Sequence, residues 1–170
     1  MSTFFELAAS RYSVRSYSQE AVEGEKLARI LEAGRIAPTA CNNQPQRIKV
    51  LCGADDLAKV DQCTPCRFNA PAVLLICYDN TVSWKRKFDG ADSGEVDAAI
   101  VTTHMMLAAH ELGLGTCWVM YFDQAKTSAL FALPENIIPL AMLPLGYPAD
   151  DAAPADLHTI KLDIEKILLT

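Results

Sequence analysis

Arg11, Ser13 and Arg15 occupy alternate positions of one short segment, Arg11-Tyr12-Ser13-Val14-Arg15. In extended backbone successive side chains alternate, so these three share a side. Two planar guanidinium forks and a hydroxyl on one side make a clamp for a small anion such as a phosphate. A second segment, Ala37-Pro38-Thr39-Ala40-Cys41-Asn42-Asn43-Gln44-Pro45, is rich in side-chain amides. Each amide offers a donor and an acceptor and can read the edge of a heterocycle. A phosphate at one end and a heterocycle at the other describe a nucleotide-type ligand. The competing accounts are surface ion pairing of the two arginines, for instance with Glu20 or Asp123, and turn chemistry of Asn42 and Gln44 around Pro45.

Other chemistries lack their residues. There is no GxxxxGK[ST], and no GxGxxG opening a helix after a strand. Gly113-Leu114-Gly115 closes a helical pattern instead of starting one. No GxSxG is present, and the three histidines have no evident triad partners. Glu95 and Asp97 begin a helical pattern, where negative charge favours the positive dipole end. Cys63-Thr64-Pro65-Cys66 is a single CxxC; zinc would need a second ligand pair, and the two read as loop cysteines ahead of a redox pair. What remains is a binding site without a side-chain nucleophile or base. That is the pattern expected when a cofactor supplies the chemistry and the protein supplies orientation.

The elements that must position these segments follow from periodicity. The pattern predicts a short helix over residues 2–10 that buries Phe4, Phe5 and Leu7, then an extended Arg11–Arg15 segment. Leu27, Ile30 and Leu31 repeat at helical spacing within a helix over 22–36, which stops before Pro38. A strand over 47–52 and a helix over 54–62 come next. The continuous apolar run Ala72–Tyr78 reads as a central strand buried on both faces. Residues 80–94 are polar and read as a solvated loop. A helix over 94–113, apolar on much of its circumference, is central and suited to a second subunit. A strand over 116–120, a helix over 123–131 capped by Asp123 and a strand over 137–145 follow. The tail closes with a short helix around residues 163–168. Helices interleaved with strands, without repeat or linker, predict one α/β or α+β domain over residues 1–170.

Composition narrows the partners. A net charge of −6 argues against nucleic acid, so the basic clamp suits a small anionic ligand. The first residues show no basic, apolar leader, and the longest apolar stretches are too short to span a bilayer. The expectation is a cytoplasmic protein, free of the membrane, with reduced cysteines. Cys52, Cys77 and Cys117 lie in apolar runs and read as small core residues.

Taken in order, Arg11-Tyr12-Ser13-Val14-Arg15-Ser16-Tyr17, Ala37-Pro38-Thr39-Ala40-x-Asn42-x-Gln44-Pro45, Glu111-Leu112-Gly113-Leu114-Gly115-Thr116-Cys117-Trp118 and Pro144-Leu145-Gly146-Tyr147-Pro148 span nearly the whole chain. This series resembles the nitroreductase family of FMN-dependent oxidoreductases. The resemblance implies an α+β homodimer, with a mostly antiparallel central sheet flanked by helices in three layers and FMN at the subunit interface. It implies that Arg11, Tyr12, Ser13 and Arg15 hold the phosphate and ribityl chain. It implies that Pro38, Thr39, Ala40, Asn42 and Gln44 reach the flavin of the neighbouring subunit. Trp118, Val119, Met120 and Tyr121 would lie against the ring near its N5 edge, largely through backbone. Lys161, with His158 as the second candidate, would join the phosphate site. The implied reaction is ping-pong: NADH or NADPH reduces FMN, and a small acceptor such as a nitroaromatic or quinone takes the electrons. A flavin-binding sensor or flavin-handling module is the alternative. The chain departs from the family pattern at Gln46, where an aromatic is common, and at Met120-Tyr121, where some members have Glu-Gly.

Overall fold

The computed structural model describes residues 3–169. Among the described residues there are five α-helices, α1 (Phe4–Ser10), α2 (Gly24–Arg35), α3 (Ala54–Cys63), α4 (Gly94–Glu111) and α5 (Gln124–Leu130), and three short 3-10 turns, the last of which, Ile164–Lys166, is all that forms of the helix expected around 163–168. Four strands, β1 (Gln46–Leu51), β2 (Ala72–Asp79), β3 (Gly115–Thr116) and β4 (Ile137–Gly146), form one sheet in the spatial order β1-β2-β4-β3. All its neighbouring strands pair antiparallel.

Every residue of β2 is buried, as its unbroken apolar run requires. Its alternation sorts the core into two. Leu74, Ile76 and Tyr78 pack toward Ile30 of α2 and Val101 and Met105 of α4. Val73, Leu75 and Cys77 pack the other way, against Val60 of α3 and Phe131 beyond α5. The result is three layers, helices on both faces of a sheet. Each fully buried Leu or Ile contributes about 1.5–3 kcal/mol by leaving water. Between Ile76 and Cys77 the register against β4 shifts, from Ala141 to Pro139. Leu140 is the extra residue, so Leu140 and Ala141 both join the α2/α4 side.

α4 is apolar nearly all round because it is covered on two sides. It presses on the sheet at Gly94, where a Cβ would meet the Tyr78 ring at 2.1 Å. It meets α2 at Gly34, where a Cβ would come within 2.9 Å of Met105. Gly113 ends the helix with φ +78°, a conformation glycine adopts freely.

Three expectations are corrected. The strand expected over 116–120 is only Gly115–Thr116, followed by an isolated bridge between Val119 and Met142. The cause is Pro144. Cys117 donates to its carbonyl at 3.3 Å, but proline has no N–H to return, so the ladder breaks there. Phe4 and Phe5 are 66% and 83% exposed, because a two-turn helix has one inward stripe and Leu7 occupies it. The predicted start of this helix, Ser2, lies outside the described residues; Thr3 caps it in a capping box with Glu6. Cys52 is exposed beyond the end of β1, whereas Cys77 and Cys117 are buried. Burial pushes the Cys77 thiol up to about 12. No helix among the described residues is long and apolar enough to cross a membrane.

Candidate functional site

The arginine segment is built onto the short edge strand. Val14 N–H donates to Thr116 O at 2.9 Å, and Ser13 bridges Thr116 in parallel. Val14 is buried and sits so close to Gly115 that a Cβ there would lie 2.5 Å from Val14 Cγ2. Glycine at 115 is therefore what lets the segment approach the sheet. With Val14 turned inward, Arg11, Tyr12, Ser13 and Arg15 line a cleft of about 190 Å³, closed by Ala155, Leu157 and His158 from the tail. The Tyr12 hydroxyl donates to Ala152 O at 3.4 Å, and its ring lies edge-on to His158. Lys161 stands just outside this lining and hydrogen-bonds to the carbonyl of His158.

The cleft is electropositive. Neither Arg11 nor Arg15 forms an ion pair among the described residues, with Glu20, Asp123 or any other carboxylate. Arg15 donates only to the Ser13 carbonyl, at 3.3 Å. The field reaches neighbouring groups. Burial, then Arg11, hold the His110 imidazole below its ordinary pKa. Burial raises the buried Cys117 thiol, opposed by Arg15, the Ser13 hydroxyl and Arg11.

The amide loop has a different anchor. It forms one 3-10 turn, Ala40–Asn42, in which Cys41 and Asn42 have positive φ, as does Gln44 just after it. Such backbone costs of order 1–3 kcal/mol at non-glycine positions and persists only where surroundings impose it. Asp97 of α4 is the main imposing group. Its buried carboxylate accepts from Ala40 N–H at 2.8 Å and from Ser93 Oγ at 2.8 Å. The Thr39 hydroxyl accepts from Gln44 N–H at 3.0 Å, and Asn43 Nδ2 donates to Val82 O. Pro38, Asn42 and Gln44 are left exposed. Periodicity assigned Asp97 to the helix dipole; that it pins the loop depends on a contact between positions 57 apart in sequence.

The third piece follows β3. Val119 is buried in its bridge to Met142, Trp118 is half-buried, and Met120 and Tyr121 are exposed. Gln46 Oε1 and Trp118 Nε1 are buried without hydrogen-bond partners among the described residues. Unpaired buried polar atoms are rare in folded proteins.

The arginine cleft contains no residue of the amide loop. The clamp joins the C-terminal end of α4, where Ser10 Oγ lies 2.8 Å from His110 Nε2, and the loop joins the N-terminal end at Asp97. At 1.5 Å per residue these anchors stand about 20 Å apart along the helix.

The fold and these two segments define an α+β protein with an arginine-lined cleft and a separate polar loop. The nitroreductase family profile matches residues 8–64 and 60–147, and the chain belongs to that family. A relative from Methanothermobacter thermautotrophicus, provisionally named NADH dehydrogenase/NAD(P)H nitroreductase, is 31% identical over 159 residues, covering 89% of this chain and 81% of its own. The crystal structure of a nitroreductase family protein from Clostridium difficile shares 38% identity at a TM-score of 0.93, covering 99% of this chain and 98% of that one. A structure described as an FMN-dependent nitroreductase, from another Clostridium difficile strain, shares 27% identity at a TM-score of 0.77, covering 94% and 99%.

Proposed function

We propose that this chain is an FMN-dependent oxidoreductase that draws electrons from NADH or NADPH and acts as a homodimer with FMN at the subunit interface. Residues 3–169 act as a single unit in this reading. The observation that carries the reading is the pair Arg11 and Arg15, which line one cleft and form no ion pair among the described residues. Two uncompensated guanidinium groups beside a hydroxyl suit a phosphate. In this reading Arg11, Tyr12, Ser13 and Arg15 hold the phosphate and ribityl end, with His158 and Lys161 closing it from the tail. Pro38, Thr39, Ala40, Asn42 and Gln44 of the neighbouring subunit meet the ring, and Trp118, Val119, Met120 and Tyr121 support it. The FMN-dependent relative supports the choice of cofactor. When bound, FMN supplies hydride transfer from the nicotinamide to an acceptor such as a nitroaromatic or quinone, in ping-pong order. The arginines favour negative charge arriving in the site, because they are already oriented when it arrives.

The distance between the two halves supports the dimer, since one chain does not bring them together. So does the exposed apolar surface: Phe4, Phe5, Ile36, Ile164, Ile167 and Leu168 all lie open in the single chain.

The test is the absorbance spectrum of the purified protein. A flavin spectrum that bleaches with NADH or NADPH and returns with a quinone is the expected result. A yellow protein indifferent to both nicotinamides identifies a flavin-binding module instead, and a protein that takes up no FMN overturns the reading.

A further inference from the structure

We infer that Thr64 is a positioning residue for the Met120–Phe122 segment, and through it for the ring end of the cofactor site; this rests on the function proposed above. After the Val119 bridge the segment has no strand partner, and the side chains of Met120 and Tyr121 are 64% and 76% exposed. Side-chain packing therefore does little to fix those two residues. Two hydrogen bonds from the Cys63–Cys66 loop do. The Thr64 hydroxyl donates to Tyr121 O at 2.6 Å, and Asp123 N–H donates to Cys63 O at 3.0 Å. Thr64 is only 3% exposed, so its hydroxyl works away from water. Pro65 disfavours helical backbone at the residue before it, and Thr64 is extended at φ −152° and ψ 144°.

The bond belongs to a series. Cys66 N–H donates to Thr64 Oγ1 at 3.1 Å, and Thr64 donates onward to the Tyr121 carbonyl. The same peptide unit carries Phe122 N–H, which donates to Met120 O at 3.0 Å. The peptide of Met120 in turn carries Tyr121 N–H, which has no partner among the described residues. Hydrogen bonds in series polarise one another, so the free Tyr121 N–H becomes a stronger, better aimed donor. Removing the Thr64 hydroxyl both loosens the segment and weakens that donor.

The experiment titrates apoprotein with FMN and with riboflavin, which lacks the phosphate, for the wild type, Thr64→Val and Thr64→Ser. Thr64→Val weakens both flavins by the same factor, about tenfold for one lost buried hydrogen bond. It also shifts the bound flavin absorbance, and Thr64→Ser restores both. Circular dichroism confirms that the near-isosteric valine variant is folded; should it not fold, Thr64→Ser with wild-type affinity and Thr64→Ala with the loss give the same decision. Unchanged binding of both flavins by Thr64→Val, or a loss that serine does not rescue, overturns the role of Thr64 alone. A wild type that takes up neither flavin overturns the cofactor reading and this inference with it.

Discussion

Asp97 and His110 stand at opposite ends of α4, and each holds a different part of the candidate site. Asp97 accepts from the Ala40 N–H of the amide loop at 2.8 Å, while His110 Nε2 lies 2.8 Å from Ser10 Oγ, next to the arginine segment. About 20 Å of helix separates them. α4 fixes that separation, and the arginine cleft has no residue of the loop in its lining. In the proposed dimer, the loop of one copy would face the clamp of another.

This geometry predicts complementation. Arg15→Ala removes the clamp and Asp97→Ala frees the loop, so either homodimer binds FMN poorly. Unfolding and refolding the two variants together produces mixed dimers in which one site carries both lesions and the other neither. About a quarter of all sites should then be intact in a random mixture. Flavin absorbance per protomer after refolding is the readout. No recovery means that clamp and loop act within one chain.

Arg15→Ala alone should give a colourless or easily bleached protein. A charge-assisted contact to phosphate contributes about 1.5–3 kcal/mol, so FMN affinity falls about 10- to 100-fold. Stability of the apoprotein should hardly change, because Arg15 forms no ion pair that the substitution would break. Full flavin content in the purified variant contradicts the assignment.

Gly115→Ala tests how the clamp is seated. The added methyl would lie 2.5 Å from Val14 Cγ2 and 2.8 Å from Val14 Cβ, so the segment must move off the sheet edge. We expect a loss of about 1–3 kcal/mol in urea unfolding, typical of overpacking, together with weaker FMN binding. Adding Val14→Ala should recover part of both. Equal stability of Gly115→Ala and wild type would show that the segment has room to shift.

The His110 environment gives a pH dependence with a definite sign. Burial, then Arg11, depress its pKa below the ordinary 6.5. The folded state thus disfavours the protonated ring, and the unfolded state binds more protons in this window. Stability from this group is complete above about pH 6.5 and declines as pH falls from there through the folded pKa. Comparing urea unfolding at pH 7.5 and 5.5, the wild type should lose more than His110→Asn. Equal losses remove His110 from the account.

Much of the layout was legible in the chain itself. The run Ala72–Tyr78 has no polar break, so it had to be buried on both faces, and β2 is. The apolar circumference of residues 94–111 required a covered helix, and Asp123 marked the start of α5 by its capping chemistry. The grouping of Arg11, Ser13 and Arg15 followed from strand alternation alone. The ordered blocks from Arg11 to Pro148 were enough to point to the family. All of these depend on local spacing, which a sequence states directly.

Tertiary structure decided what depends on contacts between distant positions. Pro144 on β4 cut the strand expected through Met120, because a missing N–H matters only once its partner is known. Phe4 and Phe5 turned outward, because Leu7 took the single inward stripe of a short helix. Asp97 became the anchor of the amide loop instead of a dipole ornament, and Thr64 became the support of the Tyr121 peptide. The length of α4 set the anchors of the clamp and the loop about 20 Å apart. Residue types and their local order pointed to what the site could bind; three-dimensional packing decided which contacts hold the clamp, the loop and the Tyr121 peptide in place.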